Sequence, residues 1–235
     1  MLTRADIAER LAEVRARIDR AATRSGRPVD DVRLIAVSKT FPAEAVHAAF
    51  AAGQAEFGEN KVQEGLQKIA RSADMKIRWH LIGHLQSNKA RKAAASFDWI
   101  HTVDSLDLLD RIEAAAAEAQ RTPAILVQVD LAKEATKHGA PVTEVPAIVT
   151  HALGCKAARL AGLMVLPPLA DNPEQARPWF RELRALRDRL IASGVPAERL
   201  SQLSMGMSHD FEVAIEEGAT IVRVGSAIFG ERDTS

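Results

Sequence analysis

Eight short apolar runs recur along the chain at intervals that leave room for a helix between one run and the next. Val, Ile and Leu dominate these runs, and most of them end in glycine or a polar residue, which is typical of buried β-strands. The stretches between them carry apolar residues at helical spacing. The predicted strands cover residues 33–39, 55–60, 78–84, 99–105, 124–130, 159–166, 200–206 and 221–230.

Boundary residues and apolar spacing predict the helices between the runs. Pro42 and Gly53 bracket one helix, as proline favours the first helical turn and glycine the end. Ser105 is a candidate N-cap for a helix over residues 105–120. The predicted buried faces carry Trp179, Leu183, Leu186 and Leu190 within residues 173–194, and Ile7, Leu11, Val14 and Ile18 in a helix that precedes the first strand.

Strands that alternate with helices after one leading helix are typical of a (β/α)8 TIM barrel. Such barrels usually have about 250 residues, and this chain has 235. An open doubly wound sheet is the alternative, but no G-x-G-x-x-G motif follows the first predicted strand. We find no linker or low-complexity segment, and we therefore predict a single α/β domain over residues 1–235 with an extra N-terminal helix.

The net charge argues against partners that bind through overall electrostatic attraction. Lys plus Arg and Asp plus Glu both total 31, so the formal net charge is zero, which does not favour nucleic acid or an anionic membrane. The single cysteine excludes an internal disulfide and indicates a reducing compartment. No apolar run reaches the ~20 residues of a membrane span, and acidic residues interrupt the N-terminal segment. We expect a soluble, cytoplasmic protein without a signal peptide.

Lys39 stands at the end of the first apolar run, in the stretch RLIAVSKTFP. Chemistry in a barrel gathers at the carboxyl ends of its strands, which is where this lysine is predicted to lie. It is either a solvated strand-end lysine or an amine that forms an imine with a carbonyl cofactor or substrate. The residues of the other strand ends must decide between the two interpretations.

Two C-terminal motifs have the composition of anion sites. In LSMGMSHDFEVAIEEGA, residues 203–219, Gly206 permits close backbone approach, Ser204 offers a hydroxyl, and Ser208 is the candidate N-cap of the next helix. An ordinary capped turn would explain this motif equally well. In VRVGSAIFGER, Arg223 lies within an apolar run before Gly225 and Ser226.

A buried arginine requires a specific partner. Arg223 therefore points either to a ligand in the barrel mouth or to a structural carboxylate such as Asp130.

Other polar clusters are less specific. His80 and His84 have a helical metal-binding spacing but lie in a predicted strand and turn without a third ligand, so we predict no metal site. Asn60 is a candidate contact for a ring substituent or phosphate. Lys133 and Lys137 lie in a predicted loop, where solvated charge and a second phosphate site are both open interpretations.

The stretches AVSKT, FGENKVQE, WHLIGHLQSNK, GLMV, SMGMSHD and VRVGSAIFG occur in this order. Together they resemble the YggS/PROSC family of pyridoxal phosphate homeostasis proteins, and the match runs from about the first strand to the C-terminus. That family resembles the barrel half of fold-type III alanine racemases. The resemblance implies a PLP-binding barrel of the alanine racemase N-terminal type, and a role in vitamin B6 and amino-acid homeostasis.

The resemblance also implies the cofactor contacts. It places pyridoxal 5′-phosphate as an aldimine on Lys39, with Arg223 against the pyridine nitrogen. An arginine stays protonated, so that nitrogen should remain unprotonated and the ring should be a poorer electron sink. The full set of cofactor-binding residues that it implies is Lys39, Asn60, Ser204, Met205, Arg223, Gly225 and Ser226.

Catalysis is the least expected property. In the related racemases the second base is a tyrosine from a further domain, whereas this chain contains no tyrosine and leaves no residues for that domain. His84 is the substitute base to check. We therefore expect a monomeric protein that carries or buffers the cofactor, with pyridoxal-phosphate-dependent apoenzymes as acceptors and no catalytic residues. A low-activity racemase and, less favoured, a Schiff-base aldolase are the alternatives.

Overall fold

The computed structural model describes residues 3–132, 138–168 and 170–231. Eight parallel strands form a closed barrel, because β1 pairs with both β2 and β9, and β4 pairs with β5. A two-residue strand, β6, extends the sheet beside β5. The strands are β1 Arg33–Val37, β2 Glu56–Glu59, β3 Arg78–Leu81, β4 Trp99–Val103, β5 Ala124–Asp130, β6 Ala140–Pro141, β7 Arg159–Val165, β8 Gln202–Met207 and β9 Ile221–Val224.

Helices follow the strands around the barrel and confirm the predicted (β/α)8 fold with one leading helix. Ser105 caps α5 by accepting from the Leu108 amide, as its position predicts. Pro42 is the N-cap residue of α2, and Gly53 follows its end. The helices are α1 Arg4–Arg24, α2 Ala43–Ala51, α3 Val62–Arg71, α4 Ala90–Ser96, α5 Leu106–Glu118, α6 Val145–Gly154, α7 Arg177–Ala192, α8 Phe211–Glu216 and α9 Ser226–Phe229.

The leading helix α1 belongs to the barrel wall. Thr3 and Asp6 form a reciprocal capping box at its start. The predicted apolar face, Ile7, Leu11, Val14 and Ile18, is buried against α2, α8 and α9.

Strand alternation divides the apolar side chains between two cores. Side chains that point outward pack under the helices in the larger core. A smaller core inside the barrel consists of Ile35, Trp99, Ala124, Leu126, Ala161, Met164 and Ile221. Successive residues of a strand face opposite sides, so every second residue of β1 and β9 faces this interior. The interior therefore receives Arg33, Ile35 and Val37 from one strand and Ile221 and Arg223 from its neighbour.

Three local predictions differ from the structure. The buried face of α7 carries Phe180 where Trp179 was predicted, since Trp179 is only half-buried. The predicted strand over residues 221–230 ends at Val224 and continues as α9. Asp210 is the N-cap residue of α8, and the predicted cap, Ser208, instead accepts from the Gly225 amide.

No helix within the described part of the chain is both long enough and apolar enough to cross a membrane.

Gly162 lies where β7 and β8 approach each other closely. A Cβ at this position would lie 1.8 Å from the Gln202 carbonyl oxygen, which is backbone and cannot move without disturbing the sheet. We expect Gly162→Ala to lower the free energy of unfolding by about 3 kcal/mol, measured by urea denaturation. Gly154→Ala is the control, because a Cβ there meets nothing within 4 Å. Equal stability of the two variants would contradict this close strand approach.

Candidate functional site

A cavity of about 860 Å³ opens at the carboxyl ends of the barrel strands. Five residues predicted from the sequence line it together, although they come from three separate segments of the chain. They are Lys39, Asn60, Arg223, Gly225 and Ser226. The cavity therefore combines an amine, a guanidinium, an amide side chain and a Gly-Ser turn.

Ser204 and Met205 are predicted site residues that do not line this cavity. Both are fully buried in β8, where alternation turns them to opposite sides of the sheet. Met205 packs outward in the larger core. Ser204 faces the barrel interior and accepts a hydrogen bond from Arg223. The structure thus places Ser204 beneath the cavity wall and Met205 behind it, and their predicted place around a phosphate stays a prediction.

Lys39 reaches the cavity by continuing the inward alternation of β1. Arg33 contacts the interior ring of Trp99, Ile35 belongs to the interior core, and Val37 lines the cavity. Lys39 is the next member of this series, and it is half-buried. The period of a strand therefore explains why a lysine at this position points into the barrel mouth.

The backbone around Lys39 is strained and braced from outside the barrel. Thr40 has φ +69°, a left-handed conformation that is rare for a β-branched residue. Its amide donates to the Glu64 carboxylate over 2.5 Å. Lys68 donates to that same carboxylate over 2.8 Å and to the Ser38 carbonyl over 2.7 Å. Residues on both sides of Lys39 are therefore tied to α3.

Glu59 completes this brace, which we call the Lys68 brace and which comprises Ser38, Thr40, Glu59, Glu64 and Lys68. The fully buried Glu59 carboxylate accepts from Lys68 over 2.7 Å and from the Ser38 hydroxyl over 2.6 Å. Burial raises the pKa of Glu59, while the Lys68 and Ser38 hydrogen bonds oppose that rise. Its second oxygen, Oε2, has no hydrogen-bond partner among the described residues.

Arg223 forms part of the cavity floor and is 3% exposed. Its Nη1 donates to the Ser204 hydroxyl over 2.6 Å, and its Nη2 donates to the Val165 carbonyl over 3.0 Å. Burial lowers the pKa of Arg223 to about 10, and the Asp210 carboxylate opposes this. The guanidinium therefore remains charged at neutral pH.

The turn between β9 and α9 presents backbone donors to the cavity. The Gly225 and Ala227 amides point at the Ser208 hydroxyl oxygen, at 3.0 and 3.5 Å. Glycine favours this packing, because a Cβ on Gly225 would make a tight contact of 3.3 Å with the Val37 carbonyl oxygen. Amide groups that converge on one oxygen in this way can also receive an anionic oxygen.

His84 and His138 form an aromatic pair on another part of the cavity wall. Their rings stack with centroids 3.5 Å apart, and His84 Nδ1 lies 3.8 Å from Asp104 Oδ2. Burial and the neighbouring His138 lower the pKa of His84, whereas Asp104 opposes this. His84 is thus a neutral base at pH 7 that faces the same cavity as Lys39.

Sequence reasoning missed several cavity residues that come from the middle of the chain. Gln128 carried a usable signal, since it is a polar residue on the inward alternation of an otherwise apolar strand. His138 carried none, because its segment is irregular. Ser208 was identified in the sequence, but as the cap of the next helix and not as a cavity residue. Ile82, Leu166, Met207 and His209 are among the other residues that line the cavity. Lys133 and Lys137, which were considered for a second phosphate site, lie outside the described residues.

Comparisons with known proteins cover nearly the whole chain. The family model described as the alanine racemase N-terminal domain matches residues 10–233. The pyridoxal phosphate homeostasis protein of Aquifex aeolicus (strain VF5) is 42% identical over 224 residues, which cover 95% of this chain and 97% of that protein. These similarities extend well beyond the short motifs at the strand ends.

Solved structures agree with the barrel. PipY of Synechococcus elongatus PCC7942 with PLP bound is 42% identical, has a TM-score of 0.84, and covers 95% of this chain and 100% of that chain. An alanine racemase from Clostridium difficile 630 is 15% identical with a TM-score of 0.74, and the match covers 98% of this chain but 58% of the racemase. At that low identity the racemase shows a shared fold alone.

The Lys68 brace predicts a large cost for removing its central amine. Lys68→Met would leave the Glu59 carboxylate buried without its cation, and we expect a loss of about 3–5 kcal/mol in the free energy of unfolding. Urea denaturation measures this loss, with the exposed Lys92→Met as the control. Adding Glu59→Gln to Lys68→Met should recover part of the stability. A Lys68→Met protein as stable as the control would contradict the brace.

Proposed function

This chain belongs to the alanine racemase N-terminal domain family and, within it, to the pyridoxal phosphate homeostasis proteins, and on that premise we propose that it binds pyridoxal 5′-phosphate covalently at Lys39. The observation that carries the proposal is that Lys39 and Arg223 line one cavity together with the Gly225–Ser226 turn. The relative PipY, solved with PLP bound, supports it. An isolated strand-end lysine would need none of these companions.

The residues of the cavity fit the chemical groups of this cofactor. Lys39 supplies the amine for the aldehyde, and the Gly225 and Ala227 amides, with the Ser208 and Ser226 hydroxyls, supply donors for the phosphate. Apolar side chains of Val37, Ile82 and Leu166 line the same space and suit an aromatic ring. Asn60 lies on the wall as a further polar contact.

Arg223 has a definite chemical consequence in this arrangement. When bound, the cofactor supplies an aldehyde that condenses with amines and a ring that withdraws electrons. A guanidinium can only donate hydrogen bonds, so Arg223 against a ring nitrogen would keep that nitrogen unprotonated. This weakens electron withdrawal and favours holding the cofactor over rapid chemistry.

We propose that the protein carries or buffers the cofactor in the cytoplasm, as a monomeric single domain, and serves vitamin B6 and amino-acid homeostasis. Pyridoxal-phosphate-dependent apoenzymes would be the acceptors. The absence of tyrosine from the sequence supports a protein without efficient turnover, since the related racemases use a tyrosine as second base. The names of the curated relatives support the homeostatic role.

A low-activity amino-acid racemase is the second candidate function. The observation that favours it is that His84, a neutral base backed by Asp104, lines the same cavity as Lys39. Abstraction and return of a proton require a base on each side of the substrate carbon. A Schiff-base aldolase would use Lys39 without pyridoxal phosphate, and it would therefore lack visible absorption.

The cofactor proposal predicts a visible absorption band that depends on Lys39. After addition of pyridoxal phosphate, the wild type should absorb as a lysine-linked adduct, and borohydride reduction should fix the label on Lys39 in peptide maps. Lys39→Ala should lose the band, whereas Lys61→Ala, which removes an exposed lysine beside Asn60, should keep it. A wild type without the band, or a label on another lysine, would overturn the proposal.

Racemase assays separate the two candidate functions. With a panel of amino acids we expect turnover at least 100-fold below the ~1 s⁻¹ that marks the low end of typical enzymes. His84→Gln should abolish any residual rate, whereas His151→Gln should not, because His151 is an exposed histidine paired with Asp110 away from the cavity. Turnover above that limit that is lost in both Lys39→Ala and His84→Gln would make the racemase the better assignment.

A further inference from the structure

A continuous row of polar side chains crosses the barrel interior beneath the cavity. Arg223 Nη1 lies 2.6 Å from Ser204 Oγ, which lies 2.9 Å from His101 Nδ1. His101 Nε2 lies 3.0 Å from His80 Nδ1, and His80 Nε2 lies 2.9 Å from Glu56 Oε2. We call this row the interior chain. It joins a cation at the cavity to a carboxylate near the amino ends of the strands.

The arginine end determines the direction of every hydrogen bond in the interior chain. Arg223 can only donate, so Ser204 accepts from it and donates its own proton to His101 Nδ1. A neutral His101 then carries its proton on Nε2 and donates to His80 Nδ1. His80 likewise carries its proton on Nε2 and donates to the Glu56 carboxylate.

Hydrogen bonds that ran in the opposite direction would fail at both ends of the interior chain. They would require Ser204 to accept from Arg223 and His101 together, which would leave the serine proton without its partner in the chain. They would also require a protonated Glu56. Burial alone would raise the pKa of Glu56, but the His80 hydrogen bond and the nearby Arg33 and Arg78 lower it overall, so this carboxyl is ionised at neutral pH.

The surroundings keep both histidines neutral. His80, His101 and Ser204 are fully buried, and His80 stacks on Trp99 with 5.5 Å between ring centroids. Burial lowers the pKa of His80 against the pull of Glu56, and burial with the positive Arg223 and Arg33 nearby lowers that of His101 further. Neutral imidazoles have one donor and one acceptor each, as a one-way chain requires.

We propose that Ser204, His101 and His80 are positioning residues for Arg223, joined in a one-way hydrogen-bond chain that ends on Glu56. The Ser204 hydroxyl is oriented by His101 and therefore presents a lone pair, never its proton, to the guanidinium. With Nη1 held there and Nη2 held by the Val165 carbonyl, the orientation of the guanidinium in the cavity floor is determined. The effect on a bound ring rests on the proposed function, whereas the chain itself does not.

Nitrogen-15 NMR on the cofactor-free protein tests the chain directly. We expect both His80 and His101 to be neutral and protonated on Nε2 at neutral pH. We also expect separately resolved Nη signals from Arg223, assigned by their loss in Arg223→Lys, because its rotation is restricted. A charged imidazole or a proton on Nδ1 of either ring would overturn the proposal, and this histidine measurement is made on the wild type alone.

Variants of His101 test the positioning role. His101→Leu removes both ring nitrogens, while His101→Asn keeps an acceptor for the Ser204 proton. Thr102→Val is the control. It removes the hydrogen bond from the buried Thr102 side chain to the Gly83 carbonyl, which neighbours the interior chain but does not belong to it. We expect averaged Arg223 Nη signals in His101→Leu and resolved signals in the other two. Resolved signals in a folded His101→Leu protein would overturn the positioning role.

The cofactor-loaded protein supplies a second measurement. In wild type and Thr102→Val the visible band should not move with pH around neutrality. In His101→Leu the position of the visible band should become pH-dependent. Cofactor binding should also weaken roughly tenfold, which is the effect of losing one charged hydrogen bond. An unmoved band and unchanged affinity would overturn the link to the cofactor. If the wild type binds no cofactor, the proposed function fails, and the NMR results still decide the chain.

Discussion

A charged guanidinium inside a closed barrel must be satisfied by the protein itself, and this constraint shapes the interior of the molecule. Arg223 is 3% exposed and holds its charge by donating to a hydroxyl and a carbonyl. The hydroxyl is in turn oriented by two buried histidines and a carboxylate. The interior therefore combines a small apolar cluster with a polar chain, because an unpaired buried charge would be strongly destabilising.

The same principle applies at the end of the neighbouring strand β1. Thr40 adopts a left-handed conformation directly after Lys39, and its strain is offset by contacts that lie outside the barrel. Lys68 and its carboxylates hold the segment without entering the cavity. Lys39 and Arg223 thus lie on neighbouring strands, and each is supported by contacts outside the cavity. Because these contacts lie outside the cavity, its surface remains accessible to a ligand, and its geometry is fixed before a ligand binds.

The comparisons identify the fold and the family of the protein, whereas the residues of the cavity indicate its chemistry. An alanine racemase shares the barrel at 15% identity, and such a likeness concerns the fold alone. Relatives at 42% and 43% identity that are named pyridoxal phosphate homeostasis protein belong to the same family as this chain. The site adds the chemistry, with a charged arginine and a lysine on one cavity and His84 as the additional base on its wall.

Sequence patterns determined the barrel, its leading helix, the place of Lys39 at a strand end and the burial of Arg223 within a strand, because strand and helix periods are local. They also identified Gly225 and Ser226 as candidate anion-binding residues, although the predicted strand ran through them to residue 230. Only the tertiary structure decided that Ser204 supports Arg223, that Lys68 braces the Lys39 segment, and that Ser208 contacts the β9–α9 turn. His101 and Ser204 are 103 residues apart and meet only when the barrel closes. No local period carries information about such pairings, since closure alone brings distant strands face to face.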